Sequence, residues 1–128
     1  MKRFQQIKEN FKNALKRLEE SVKKAETDLE IDGVIQRFEF TFELMWKLIK
    51  VYLESEGIIC RSPKSCLKEA YQGGVIFGEE IWLEMLNDRN LSVHIYDQKT
   101  SREVFERIKS DYVKELLILL KKMEQDTK

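Results

Sequence analysis

Arg89, His94 and Tyr96 are the side chains whose types and spacing could do chemistry together. They lie in Asp88-Arg89-Asn90-Leu91-Ser92-Val93-His94-Ile95-Tyr96-Asp97, between two helical patterns, and His94 is the only histidine of the chain. An arginine can hold an anion through a planar fork of donors. A histidine exchanges a proton near neutral pH. Tyr96 follows His94 by two residues, so in an extended segment the two would point the same way. Arg89 and His94 are five apart, about 140° around a regular helix, and would not share a face there. If they act together, the helix that carries Arg89 must end near Asn90, a residue that tolerates a helix C-terminus.

The chemistry that such a set could do is RNA cleavage without a metal. That reaction needs an acid or base at the 2′-hydroxyl and leaving oxygen, and a cation for the charge on phosphorus. His94 suits the first role and Arg89 the second. One histidine per chain means that separate acid and base groups require two chains, or Tyr96 as the second group. The plainer reading of His94 alone is a surface histidine in a loop. Arg89, in the last turn of a helix, also suits the helix dipole without any chemistry.

The elements that must position these residues are helices. At 128 residues with 36% charged residues, one proline and five glycines, the chain reads as one helical domain over 1–128. Phe4, Ile7, Phe11, Ala14 or Leu15, Leu18, Val22 and Ala25 make one apolar stripe to about Glu26. A second long helix is expected from Gly33 to about Glu56, capped by Asp32 or Asp28. It is apolar on more than one stripe, and Phe40, Phe42 and Trp46 are the candidate interface with a partner. Glu39 and Glu43 share a face there. They could serve metal or acid–base work, but an ion pair from Glu43 to Lys47 is the simpler reading.

Gly57 reads as the residue after that helix, and Ser62-Pro63 as the cap and first position of a short helix to about Tyr71. Gly73-Gly74 closes it, and Glu79-Glu80 opens the next, whose buried stripe is Ile81, Trp82, Met85 and Leu86. Thr100 and Glu103 have capping-box spacing ahead of a last long helix. The sum is an all-α, antiparallel up-down four-helix bundle with an additional short helix.

Formal net charge is zero, which argues against strong non-specific nucleic-acid binding but leaves room for a local basic cleft. No apolar run is long enough to span a bilayer, and no signal peptide is read, so the expected location is cytoplasmic. Cys60 and Cys66 could pair by count, but two buried or half-buried thiols are expected in a reducing compartment. With one histidine and no CxxC, no metal site is expected.

Arg89-x4-His94-x-Tyr96 resembles the R-x4–6-H motif, extended by x-Tyr, of the HEPN superfamily. Gly57-Ile58, Ser62-Pro63-Lys64, Glu69-Ala70-Tyr71, Trp82-Leu83-Glu84-Met85-Leu86, Asp88-Arg89-Asn90 and His94-Ile95-Tyr96-Asp97 resemble the nucleotidyltransferase substrate-binding protein family within it. Phe38-Glu39-Phe40-Thr41-Phe42-Glu43 is similar to that family's second helix. Gln98 departs from the pattern, where an acid is more usual.

The resemblance implies a homodimer that brings two motifs to a shared cleft, and a minimal nucleotidyltransferase as partner. It implies a toxin–antitoxin pair in which Arg89 and His94 serve a metal-independent endoribonuclease, supported by Asn90 and Asp97. Tyr96 is then the acceptor of AMP that silences it. No cofactor of its own is implied. The expected ligand is RNA or a nucleotide. The competing readings are a non-catalytic subunit whose cleft holds a nucleotide or the transferase's substrate, and a plain helical dimerisation module.

Overall fold

A hairpin of two long helices sets the frame. The computed structural model describes residues 2–92 and 97–126, and their order is α1 (Lys2–Lys24), α2 (Asp28–Ser55), α3 (Pro63–Gln72), α4 (Glu79–Ser92), α5 (Gln98–Arg107), a π-helical turn (Ile108–Tyr112) and α6 (Val113–Asp126). The last three run on as one continuous rod. The architecture is the expected all-helical bundle with α3 as the short extra helix. At 1.5 Å per residue the 28-residue α2 is about 42 Å long and packs against α1, α3, α4 and α5. Its buried face, including Val34, Phe38, Phe42, Met45 and Ile49, forms the centre of the core. Among the described residues no helix is long and apolar enough to cross a membrane.

The start of α2 differs from the expected Gly33. Thr27 is the cap, its side chain accepting from the Glu30 backbone N–H while the Glu30 carboxylate accepts from the Thr27 backbone N–H. This reciprocal pair satisfies two exposed donors at once, which neither Asp28 nor Asp32 could do alone. Asp28 instead sits in the first turn and pairs with Arg102 at 2.6 Å, tying the start of α2 to α5. The Glu30 carboxyl is held below its usual range, chiefly by the Thr27 backbone N–H and then that of Glu26.

The chain's stops follow the expected glycines. After α2, Ile58 N–H donates to Leu53 O at 2.8 Å and Gly57 N–H to Glu54 O at 3.0 Å, with Gly57 at φ 82°. After α3 the same pair of bonds recurs around Gly74, at φ 74°. Both are Schellman closures, which need a left-handed residue. Ser62 caps α3 and Pro63 is its first residue, as expected.

Two further expectations are corrected. Cys60 and Cys66 form a disulfide, their Cα atoms 5.1 Å apart, because the Ser62-Pro63 turn brings the connector back beside the first turn of α3. The last helix starts at Gln98, not after Thr100. Asp97 is its cap, accepting from Thr100 N–H at 2.7 Å and from the Thr100 hydroxyl at 3.0 Å. A carboxylate three residues earlier takes the role assigned to Thr100 and leaves Thr100 inside the first turn.

Candidate functional site: the end of helix α4

Arg89 stands in the last turn of α4 with its guanidinium turned toward the middle of α2. Its Nη2 donates to both carboxylate oxygens of Glu43, at 2.9 and 3.1 Å. The Trp46 indole N–H donates to the same two oxygens, at 3.0 and 3.1 Å. Nη1 of Arg89 donates to the Asn90 side-chain oxygen at 3.1 Å. Beneath it lies the Phe42 ring, with Cζ 5.9 Å from the centroid, a cation over an aromatic face. The ion pair expected between Glu43 and Lys47 is replaced by this one, since the Glu43 carboxylate turns across the helix interface instead of along its own surface.

This constellation opens on a cavity of about 490 Å³ lined by Gln36, Glu39, Phe40, Glu43, Arg89 and Asn90. Arg89 and Glu43 are each about one-third exposed there, so the guanidinium is held and still reachable. Such a fork can take up a phosphate or carboxylate. Of the three expected interface residues, Phe40 is 63% exposed, whereas Phe42 turns fully inward. Trp46 is half-buried with its indole on Glu43. The outward apolar face of α2 at this point is therefore Phe40, and Phe42 is corrected to a core residue supporting Arg89.

His94 and Tyr96 lie outside the described residues, as do Val93 and Ile95. On either side, α4 stays helical through Ser92, two residues beyond the expected end at Asn90, and Asp97 opens α5. The Asp97 carboxyl is held below its usual range, chiefly by the Thr100 backbone N–H, then by its hydroxyl. Next to it, the Gln98 side-chain nitrogen is buried and has no hydrogen-bond partner among the described residues.

Sequence reasoning missed a second cluster, one residue from Arg89. Asp88 is 4% exposed. It accepts from Arg107 twice, Nε at 2.7 Å and Nη2 at 2.9 Å, and from the buried Tyr112 hydroxyl. The Asp88 bond raises the Arg107 pKa, so that side chain stays charged. Burial, and then Asp88, push the Tyr112 phenol well above its ordinary range, so it stays a donor. Breaking one partner of a buried ion pair typically costs about 3–5 kcal/mol. The signal was present in the sequence: Trp82, Met85 and Asp88 continue one buried stripe at spacing three, and a carboxylate on such a stripe needs partners.

The class that fold and site define is an all-helical bundle with an arginine displayed at the end of α4. Residues 5–125 match the family described as nucleotidyltransferase substrate binding protein like, and the chain belongs to that family. It is 33% identical over 103 residues, 77% of this chain and 70% of the relative, to the Haemophilus influenzae protein named Probable ribonuclease HepT. A crystal structure from Thermus thermophilus superposes with a TM-score of 0.76 at 32% identity, covering 91% of this chain and 97% of that one. A Haemophilus influenzae structure, described as revealing the fold of a substrate binding domain of a nucleotidyltransferase, gives a TM-score of 0.81 at 27% identity, over 92% and 99% of the two chains.

Proposed function

We propose that this chain is a metal-independent endoribonuclease that is silenced by a minimal nucleotidyltransferase partner. The observation that carries the reading is the Arg89 guanidinium, held by Glu43 and Asn90 at the mouth of an open cavity, five residues before the single histidine. In this reading residues 1–128 are one domain that dimerises and works in the cytoplasm. Arg89 takes the scissile phosphate and steadies the charge that grows on it. His94 moves the proton between the 2′-hydroxyl and the leaving 5′-oxygen, a role typically worth about 10² to 10⁴ in rate. A dimer supplies the second histidine that separate acid and base steps require. Asn90 orients Arg89, and Asp97 caps α5.

Tyr96 is the acceptor of the silencing group. Its oxygen attacks the α-phosphorus of ATP on the partner, pyrophosphate leaves, and the phenolic proton goes to the partner's base or to water. The AMP ester adds bulk and negative charge beside Arg89, which opposes an RNA phosphate there.

A second reading has its own support in the neighbour described as a nucleotidyltransferase's substrate binding domain. In it, Arg89 and His94 hold a nucleotide or RNA without cutting. The two separate on one experiment: RNA cleavage by the purified, unmodified chain in EDTA, wild type beside His94→Ala. Cleavage that disappears in the variant supports the nuclease. No cleavage by wild type, with RNA or nucleotide affinity that falls in Arg89→Ala, transfers the conclusion to the binding subunit.

A further inference from the structure

The Asp88 cluster does more than hold two helices together, because of where it sits in the covalent chain and in the packing. Asp88 is the residue before Arg89, on the inward side of the same turn. Its carboxylate is fixed from two directions, by the Arg107 fork and by the Tyr112 hydroxyl. Tyr112 in turn stacks on Phe38, with ring centroids 5.5 Å apart and 24° between planes. Phe38 packs on Phe42 at 6.2 Å, and Phe42 lies under the Arg89 guanidinium. The contacts close a loop that returns to Arg89: by the backbone through Asp88 and by the rings through Phe38 and Phe42.

The π turn makes this loop possible. Arg107 and Tyr112 are five residues apart, which in a regular helix would set them about 140° apart and let only one face Asp88. Between Ile108 and Tyr112 the ladder widens, with Val113 N–H donating to Ile108 O, five residues back. A wider turn brings positions i and i+5 nearly above one another, and both side chains reach one carboxylate. Single π turns in long helices often accompany functional sites.

We propose that Asp88, Arg107 and Tyr112 are positioning residues for Arg89, and that the π turn exists to bring the two donors onto Asp88. The proposal rests on the reading of Arg89 as the phosphate-holding group. The triad fixes the last turn of α4 against the α5–α6 rod, so that Arg89 meets its ligand without first being ordered. Loosening the triad leaves the ligand's contacts available but misplaces them, which lowers turnover more than affinity.

The test uses the full chain and three variants: Tyr112→Phe, Asp88→Asn and Arg107→Lys. Tyr112→Phe keeps the ring stack and loses only the hydroxyl, so it folds even if Asp88→Asn does not. The expected result for Tyr112→Phe is a fall of about tenfold in kcat for RNA cleavage with KM within about twofold. Arg107→Lys keeps the charge but loses the fork, and is expected to fall similarly. Leu53→Ala is the control for simple destabilisation: it lies ten residues along α2 from Glu43, about 15 Å away, and keeps its kcat per folded molecule.

A second readout does not depend on activity. The Arg89 Nε–H signal in nitrogen-15 NMR, assigned by its loss in Arg89→Lys, is expected to be sharp in wild type and shifted or broadened in Tyr112→Phe. Unchanged kcat with an unchanged Arg89 signal in Tyr112→Phe overturns the proposal. If wild type cuts no RNA, it is the nuclease reading that fails, and the Arg89 signal alone decides whether the triad positions that side chain.

Discussion

Glu43→Gln isolates what the carboxylate does for Arg89, since glutamine is nearly the same shape and can still accept from one of the two donors. The ion pair is close, at 2.9 Å, but both side chains are about one-third exposed. Two unit charges about 3 Å apart in a water-like dielectric attract by about 1.4 kcal/mol. Side-chain ordering and screening reduce the net contribution of such a pair to about 0.5–1 kcal/mol. For a chain of this size that is a fall in Tm of about 2–5 °C. The effects on function have opposite signs in binding and in turnover. A phosphate on Arg89 lies about 5 Å from the carboxylate and is repelled by about 0.8 kcal/mol, so its removal tightens RNA binding about fourfold at low salt. At higher ionic strength that gain shrinks. Turnover falls about tenfold, because one neutral oxygen, shared with Trp46, orients Nη2 less firmly than two charged ones before the phosphate arrives. The assay is cleavage kinetics on a short RNA, with fluorescence anisotropy on a non-cleavable 2′-O-methyl version across a salt series. Tighter binding together with slower cleavage is the expected pair of results. A variant with wild-type kcat, or one that binds RNA more weakly, would refute the view of Glu43 as an orienting counter-ion.

The Cys60–Cys66 bond closes a loop of sequence separation six, and its reduction is expected to cost about 2 kcal/mol. Melting with and without reductant, alongside alkylation of both thiols only after reduction, checks this; equal Tm values would show that the bond adds nothing. Glu30 carries a pH dependence. Its folded pKa lies below the unfolded value of 4.5, so its stabilisation is complete above pH 4.5 and is lost as pH falls through the lower folded value. Glu30→Gln is therefore expected to flatten the slope of Tm against pH below 4.5, and an identical slope in both proteins would remove Glu30 from the acid transition.

Sequence reading was most reliable where one residue type has one local consequence. Gly57 and Gly74 end helices because left-handed backbone suits glycine, and Ser62-Pro63 starts one because a cap oxygen and a missing N–H both belong there. It was less reliable where two local devices competed. Thr27 displaced Asp28 and Asp32, and Asp97 displaced Thr100, because a cap is chosen by the whole set of donors it satisfies and the alternatives stood within a few residues. The ion pairs were least legible. Glu43 had an acceptable partner four residues along its own helix, and nothing local says that a side chain 46 positions away will arrive instead.

Spacing by five separates what the helical rule can decide from what it cannot. By that rule Arg107 and Tyr112 point apart, and the apolar stripe makes Tyr112 an ordinary core aromatic. The rule fails because it assumes one turn geometry along the whole rod, and a buried carboxylate on the neighbouring helix can make another geometry cheaper. An unpaired Asp88 in the core would cost more than one widened turn, so the ladder yields and both donors face inward. The sequence trace of that exchange is the acid on the α4 stripe, not anything in the helix that widens. Arg89 inherits its place from the same exchange: the residue that had to be neutralised inside the bundle is the one that fixes where its neighbour meets solvent. A substitution that makes Asp88 apolar and fills its volume, such as Asp88→Leu together with Tyr112→Phe, is thus expected to keep the fold while freeing the turn and displacing Arg89. A crystal structure of that pair with the π turn intact and Arg89 still on Glu43 would show that the aromatic packing alone dictates both.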